Sequence, residues 1–208
     1  QYFVEMEYIN GIPLSKWSEL HPWWKDSKNY LQYLDILIEL CEVLQYLHER
    51  NLAHNNLKVS NVMIVKNGIK LMDLTMPFTQ KIKNCHMSPE GNSNKLFDLY
   101  SLGVFMYEIF TQNTFSKDFN VNQKFLRLPD WLKQLMSKLL QDNPDKRLDS
   151  AQAVIWVIRE NHPRCIENSH KKIQKDLFEM KTTQIIKKKK FQDELRIICN
   201  HITDLKID

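Results

Sequence analysis

Glycine is scarce in this chain, which has only four in 208 residues, at Gly11, Gly68, Gly91 and Gly103. They lie far apart, so the sequence contains no glycine-rich loop of the kind that cradles nucleotide phosphates. It also lacks any run of about 18 apolar residues, and it does not start with a basic segment leading into an apolar one. We therefore expect no transmembrane helix, no secretory signal and nothing that would cover a triphosphate.

Cysteine is also sparse, and its spacing argues against a zinc site. Four cysteines are scattered at Cys41, Cys85, Cys165 and Cys199, with no Cys-x-x-Cys pair. Together with seven histidines they offer no ligand spacing suited to zinc. Scattered thiols predict reduced, mostly buried cysteines and hence a cytoplasmic protein, with a nuclear one possible. A structural disulfide is the less favoured alternative.

Charge is present but unevenly distributed. The net charge is +4, and residues 159–208 hold 12 Lys and Arg against 8 Asp and Glu, which accounts for the whole excess. The densest run is Lys187–Lys190. A solvated surface is its simplest interpretation. The alternative is a patch for an anionic membrane or for nucleic acid, although no interleaved aromatic residues support nucleic acid.

Apolar spacing predicts helices through most of the first 158 residues. The segment 95–111 is apolar nearly all round, which is typical of a helix at the centre of a domain. The segments 30–49 and 129–140 carry apolar residues at helical spacing, and Asp149 and Ser150 look like caps of a helix that runs through Ile158. A content of 43% hydrophobic residues is enough for a real core.

Strand signals are few. Residues 2–9 predict a strand that ends at 10–13, and residues 62–65 and 69–72 flank Lys-Asn-Gly, which predicts a hairpin. A short helix and a packed corner are expected around Trp17, Pro22, Trp23 and Trp24. The fold class predicted is mainly α, with one small β-hairpin.

The C-terminal end differs in kind from the rest. Apolar residues repeat there every three or four positions, at Phe191, Leu195, Ile198, Ile202 and Leu205. This is a heptad pattern over about two heptads, too short to be stable alone. We predict a basic helical extension at 159–208. Packing on the main domain is the simpler expectation for it, and self-association through 191–205 is the alternative.

A group of polar residues follows the first long helix. His54, Asn56, Lys58 and Asn61 precede the predicted hairpin, and Asp73 ends it in the sequence Leu-Met-Asp-Leu. Further along come Met-Ser-Pro-Glu at 87–90, Asp-Leu-Tyr-Ser-Leu-Gly at 98–103, and Arg147. In this order the segments resemble the C-terminal lobe of a eukaryotic-type protein kinase over residues 1–158. Residues 1–12 would then correspond to the last strand of the N-terminal lobe and the hinge.

The resemblance implies a nucleotide site. Lys58 matches the lysine that contacts the transferring phosphate, whereas Asn61 and Asp73 match the residues that hold Mg²⁺ on a bound nucleotide. Each has a simpler interpretation as well. Lys58 could be a surface cation, Asn61 a loop amide bonded to its own backbone, and Asp73 the end of a hairpin.

Other matches imply structural roles. His54 matches a packed, hydrogen-bonded residue of the family, and Asp98 matches one that hydrogen-bonds the backbone of the catalytic loop. Glu90 and Arg147 match an ion pair that braces the activation segment. None of these four side chains is expected to touch a substrate.

Departures from the family pattern point away from catalysis. Asn56 replaces the aspartate that acts as catalytic base, and an amide cannot accept the proton of a substrate hydroxyl as a carboxylate does. Loss of a general base costs roughly 10² to 10⁴ in rate. Asn55 replaces an arginine that receives an activation-loop phosphate, residues 74–75 replace Phe-Gly, and no Val-Ala-x-Lys strand precedes the hinge. The segment from Asp73 to Glu90 is also short for the family.

Two hypotheses follow. The first is a catalytically impaired, pseudokinase-like module that acts as a scaffold or regulator by binding protein partners, with no cofactor or with weakly bound Mg-ATP. The alternative is a divergent ATP- and Mg-dependent Ser/Thr protein kinase whose N-terminal lobe lies upstream of Gln1 or in another chain.

Overall fold

The computed structural model describes residues 7–74, 88–90, 94–118, 120 and 122–162. The elements are, in order, β1 (Gly11–Pro13), α1 (Leu14–Leu20), α2 (Ser27–His48), β2 (Val62–Val65), β3 (Gly68–Leu71), α3 (Lys95–Thr111), α4 (Gln123–Leu126), α5 (Asp130–Leu139) and α6 (Ala151–Asn161). The mainly helical class is confirmed. None of the described helices combines the length and apolarity needed to cross a membrane.

Several predicted features lie outside the described residues. They are the extension beyond residue 162, the lysine run 187–190, the heptad pattern 191–205, the first part of the strand predicted at 2–9, and the cysteines at 85, 165 and 199. Cys41 is described, and it is a buried free thiol.

Helix α3 lies at the centre of the described domain. Its side chains are buried along almost its whole length because apolar residues occupy every face. Asn94 caps the start of the helix, since its side chain accepts hydrogen bonds from the backbone N–H groups of Leu96 and Phe97. Asp98 and Ser101 are two polar residues of this largely apolar helix, and both are fully buried. A buried carboxylate in the first turn marks α3 as the element that organises the polar residues nearby.

Helix α2 packs against α6 and against the sheet. Asp26 caps its start by accepting a hydrogen bond from the backbone N–H of Lys28, and Ser150 caps α6 in the same way through Ala153. Of the two predicted caps of the last helix, Ser150 is therefore the one that forms. Arg159 of α6 reaches Glu42 of α2 at 3.4 Å, which links the two helices across their contact.

The close packing of α3 against α5 depends on Gly103. A β-carbon at this position would lie 2.9 Å from side-chain atoms of both Leu139 and Leu140. Such a distance is shorter than a carbon–carbon contact allows, so a larger residue would push the two helices apart.

The predicted hairpin is part of a three-stranded antiparallel sheet with the order β1-β2-β3. Ile12 lies opposite Ile64, and Val65 lies opposite Gly68. The strand predicted at 2–9 is therefore wrong in its described part, because residues 7–10 have no regular structure and Gly11–Pro13, predicted as the break, is the strand. Proline is tolerated there because β1 is an edge strand of this sheet.

Candidate functional site: the loop between α2 and β2

Asp98 of α3 holds the loop that follows α2. Its carboxylate accepts hydrogen bonds from the backbone N–H of His54 at 2.7 Å and of Asn55 at 2.8 Å. The Asp98 side chain is fully buried, so these charge-assisted bonds lie in a low-dielectric environment. The position of the loop is thereby fixed to the central helix. The family resemblance implies that Asp98 hydrogen-bonds the backbone of this loop, and these two bonds agree with that expectation.

His48 is a third partner of this carboxylate, and sequence reasoning missed it. It lies in the last turn of α2, and its Nε2 is 2.9 Å from Oδ2 of Asp98. A carboxylate in this position therefore ties together the end of α2, the start of α3 and the loop between α2 and β2. Two residues 50 positions apart carry no local sequence signal that would reveal such a contact.

The His54 imidazole is buried and fully hydrogen-bonded. Its Nε2 lies 2.9 Å from the carbonyl oxygen of Met72, and its Nδ1 lies 3.3 Å from the backbone nitrogen of Asn56. Burial lowers the pKa of His54, although the charge of Asp98 acts in the opposite direction. The ring is therefore neutral at pH 7, with its proton on the nitrogen that donates to Met72. A histidine held in this way positions the loop against the strand that leads to Asp73.

Asn55 has a left-handed backbone conformation, with φ of 61°. Asparagine tolerates this conformation better than most residues. Its Nδ2 donates to the carbonyl of Ala53 at 3.2 Å, so the amide supports the turn of the loop itself. Among the described residues its buried Oδ1 accepts no hydrogen bond.

Asn56 occupies the centre of the loop, and both its backbone and its side chain are used in hydrogen bonds. Its backbone carbonyl accepts a bond from Nδ2 of Asn61 at 2.8 Å. Its side-chain Nδ2 lies 3.5 Å from the backbone carbonyl of Asp73, which is a weak hydrogen bond by distance. The amide thus donates a hydrogen bond toward Asp73, and an ionised carboxylate could not make this bond because it has no proton to donate. Asn56 links the loop to the turn that carries Asp73.

Asn61 and Asp73 lie side by side. The backbone carbonyl of Asn61 accepts a bond from the N–H of Met72 at 2.8 Å, directly before Asp73. Asn61 is buried, whereas Asp73 is exposed and has a left-handed backbone with φ of 56°. Such a conformation in a residue other than glycine is uncommon and occurs mainly in Asn and Asp. It turns the chain sharply after β3 and leaves the Asp73 side chain at the surface.

Lys58 is near the group but outside its hydrogen-bond network. It is half-buried and extended, with φ of −159° and ψ of 159°, just before the 3₁₀ turn at Val59–Asn61. Within the part of the chain that the structure describes, its ammonium makes no hydrogen bond or ion pair. Its position therefore agrees equally with a surface cation and with a phosphate contact.

The donor chemistry of this group fits a magnesium ion shared with phosphates. Asp73 supplies one carboxylate, and Asn61 supplies an amide oxygen that accepts no hydrogen bond from the described residues. Magnesium in nucleotide sites is commonly held by one or two protein oxygens together with phosphate oxygens and water. Among the described residues, no cluster of three or more His, Cys, Asp or Glu could hold a metal ion alone. A magnesium ion here would therefore depend on the nucleotide it accompanies.

Glu90 and Arg147 form a separate, partly buried ion pair. Two parallel bonds join them, from Nη1 to Oε1 at 2.6 Å and from Nη2 to Oε2 at 3.0 Å. The guanidinium also donates to the carbonyls of Leu96 and Gln141, and its centre lies 5.1 Å from the ring of Tyr100. The Arg147 side chain is fully buried. It therefore connects the residues around Glu90 to the first turn of α3 and to the segment after α5.

Electrostatics favour the ionised form of this pair. Burial opposes ionisation of Glu90, but the hydrogen bonds and charge of Arg147 outweigh it and lower the pKa of this carboxyl. The geometry is the bidentate one for which arginine is suited and lysine is not. Because Arg147 bonds Glu90, Leu96 and Gln141 together, the pair is a structural brace between three segments of the chain.

The family model described as "Protein kinase domain" matches residues 1–156. The chain is 27% identical over 193 residues to Aurora kinase C of Mus musculus, covering 81% of this chain and 66% of that protein. It is 27% identical over 188 residues to cAMP-dependent protein kinase type 3 of Saccharomyces cerevisiae, covering 78% and 46%.

A plant relative shows the same pattern. CBL-interacting protein kinase 21 of Oryza sativa subsp. japonica is 28% identical over 183 residues, which cover 71% of this chain and 33% of that protein. The chain thus spans between about one third and two thirds of the length of these three relatives. The family model covers well over half of the 208 residues. The chain therefore belongs to the protein kinase family.

Proposed function

We propose that this chain is a catalytically impaired protein kinase domain that acts by binding other proteins, as a scaffold or regulator. The observation that carries the proposal is Asn56. It stands where the family has its catalytic base, and its amide donates toward the backbone of Asp73. A side chain that donates in this direction and carries no negative charge is unable to take a proton from a substrate hydroxyl at neutral pH.

The expected impairment is large but finite. Removing a general base lowers the rate by roughly 10² to 10⁴, which corresponds to about 3–5 kcal/mol of barrier. Meanwhile the structural parts of the lobe are intact in the described residues: Asp98 holds the loop, and Arg147 holds Glu90. A folded lobe that lacks its catalytic base is what we expect of a domain that acts by binding other proteins.

A second candidate function is favoured by Asn61 and Asp73. The bond from the N–H of Met72 to the carbonyl of Asn61 brings the two residues near each other. Their side-chain oxygens could hold magnesium on a nucleotide, which would make the protein a divergent Ser/Thr protein kinase with Mg-ATP as cofactor. The relatives are named as kinases, and the chain covers only part of their length. Activity in a longer product or with a partner chain is therefore the alternative to test.

The deciding experiment measures transfer of labelled γ-phosphate from Mg-ATP to a mixed Ser/Thr peptide library. It uses the 208-residue chain and the complete encoded product, with Asp73→Asn as the matched control in each. We expect no transfer above this control, and no rise in Tm with millimolar Mg-ATP. Transfer that Asp73→Asn abolishes would establish the enzyme instead.

The variant Asn56→Asp separates two causes of inactivity. If Asn56 is the main lesion, restoring the carboxylate raises transfer by about 10² or more. If transfer stays at background, the site is impaired at further positions as well. This variant shows only whether Asn56 is the main cause of the impairment. Whether the chain is an enzyme is decided by the assay of the wild type.

A further inference from the structure

A groove on the described domain is lined mainly by aromatic and basic residues. It has a volume of about 350 Å³ and lies between the segment that leads into α2 and the segment that joins α4 to α5. The lining residues that matter here are Trp23, Trp24, Tyr30, Lys25, Asp26 and Arg127. It involves none of the residues described above for the nucleotide site.

The back of this groove is held by a hydrogen bond and by ring packing. The indole N–H of Trp23 donates to the carbonyl of Phe110 at 2.6 Å, and its ring packs against Phe110 and Tyr30 with centroids 5.9 and 6.0 Å away. Trp24 stands at a right angle to it, with an interplanar angle of 88° and centroids 5.9 Å apart. The two indoles therefore form a corner that can receive one side chain.

Trp24 is the open wall of the corner. It is 44% exposed, although a tryptophan is among the residues that gain most from burial. Its indole N–H donates no hydrogen bond to any residue that the structure describes. Lys124 of α4 lies with its Nζ 5.0 Å from the ring centroid, within reach of a cation–π interaction with the indole. An exposed tryptophan beside a groove is suited to serve as a binding anchor.

The rim of the groove is positively charged. Lys25 and Arg127 are both exposed, and neither forms an ion pair within the described residues. Against these two cations the lining contains one acidic residue, Asp26, whose carboxylate caps α2 by accepting from Lys28 N at 3.0 Å. Lys124 adds a third positive charge beside Trp24. The groove therefore favours an occupant that combines an apolar side chain with negative charge.

We propose that this groove binds a short acidic peptide segment of a partner protein, with one apolar or aromatic side chain inserted in the Trp23–Trp24 corner and flanking Asp or Glu residues at Lys25 and Arg127. The proposal deepens the proposed function by naming the surface and the chemical class of the partner. It rests on that function only in supposing that the domain binds other proteins.

Two other occupants fit the geometry less well. Single-stranded nucleic acid needs aromatic rings on which successive bases stack, whereas these two indoles meet at a right angle. A small molecule is usually enclosed over most of its surface, whereas Trp24 leaves one side of this groove open to solvent. A peptide that crosses an open groove and buries one anchor matches both features.

The experiment selects binders from a displayed random peptide library on the full chain, with the Trp24→Ala variant as the counter-target. We expect enriched peptides with an apolar residue among Asp and Glu, and binding at least about tenfold weaker to Trp24→Ala. Affinity should fall as salt rises, because the flanking contacts are exposed charges. An unchanged Tm would show that Trp24→Ala retains the fold.

Charge reversal provides the second test. The double variant Lys25→Glu and Arg127→Glu should lose the acidic peptides and select neutral or basic ones in their place. Absence of enrichment over Trp24→Ala, or equal binding of the selected peptides to both variants, would overturn the proposal. So would tighter binding of single-stranded oligonucleotides than of peptides, or self-association of the chain that Trp24→Ala abolishes. Because the phosphotransfer assay does not involve this groove, failure here leaves the proposed function to be judged separately.

Discussion

Replacing Asp98 by asparagine tests how strongly the central helix holds the loop. Asparagine has nearly the same shape but only one acceptor oxygen, whereas Asp98 accepts bonds on both oxygens, from the N–H of His54 and of Asn55. In its better orientation the amide keeps the bond to His54 and turns its NH₂ group toward the N–H of Asn55. One buried donor is then left unsatisfied, and the remaining bonds lose their charge assistance.

The cost can be estimated from these bonds. A hydrogen bond to a charged group contributes about 1.5–3 kcal/mol, and an unsatisfied buried N–H costs about 1–3 kcal/mol. We expect a loss of about 3 kcal/mol after partial relaxation of the loop. For a chain of this size that lowers Tm by about 6–12 °C. With a urea m-value of about 2 kcal/mol/M, the midpoint falls by about 1.5 M.

Tryptophan fluorescence is a suitable signal for this measurement, because the five tryptophans all lie between Trp17 and Trp156. The control is Asp145→Asn, an exposed aspartate in the 3₁₀ turn at Pro144–Lys146, which should change stability by less than about 0.5 kcal/mol. Amide exchange of His54 and Asn55 should accelerate in Asp98→Asn while α6 stays protected. A loss no larger than that of the control would refute the reasoning.

Three more predictions concern the brace and the sheet. Arg147→Ala leaves the Glu90 carboxylate without its partner and should lower the free energy of unfolding, measured in urea, by about 3–5 kcal/mol. Arg147→Lys should be intermediate in stability, and equal stability of the Lys and Ala variants would argue against a bidentate pair. Because the folded-state pKa of Glu90 is lowered, its contribution is complete above the ordinary glutamate pKa and is lost as pH falls through the folded value. The stability difference between wild type and Glu90→Gln should therefore be constant from pH 7 to about 5 and shrink below pH 4, and a difference that grew on acidification would contradict this. Gly68→Ala should destabilise the fold by about 1–3 kcal/mol, because Gly68 has φ of 125° and a β-carbon would lie 2.5 Å from Oε2 of Glu39. An unchanged Tm would contradict this reasoning.

The helices could be predicted well because their signals are local. The segment 95–111 is apolar on all faces and is preceded by a capping asparagine, and α3 has these bounds. The helix predicted at 30–49 begins three residues earlier, at Ser27, because Asp26 caps it. Periodicity indicates which face is buried, but the cap decides where a helix starts.

Strand β1 could not be predicted because its signal is not local. Residues 11–13 have poor strand propensity, yet they pair with 63–65 of β2. Residues 7–9 include strand-forming types but have no strand partner within the described residues. Pairing with a distant segment, rather than propensity, decides which residues form an edge strand.

The candidate site was predictable in its residues but not in its connections. The resemblance indicated Asp98 and the pair of Glu90 with Arg147, and the geometry of both agrees with that indication. It did not indicate that His48 shares the carboxylate of Asp98. It also did not indicate that the Asn56 amide donates toward the Asp73 carbonyl. Such contacts depend on where three segments meet, which spacing along one chain does not encode.

The contact between His54 and Asp98 has a consequence for synthesis on the ribosome. The two residues are 44 positions apart, so α2 and the loop emerge well before the carboxylate that holds the loop. At about 5–20 residues per second the delay is roughly 2–9 s. During that interval the N–H groups of His54 and Asn55 can be satisfied only by water or by transient partners. The bonds that hold the loop to α3 can therefore form only after Asp98 has been made, and a nascent chain stalled before residue 98 would lack them.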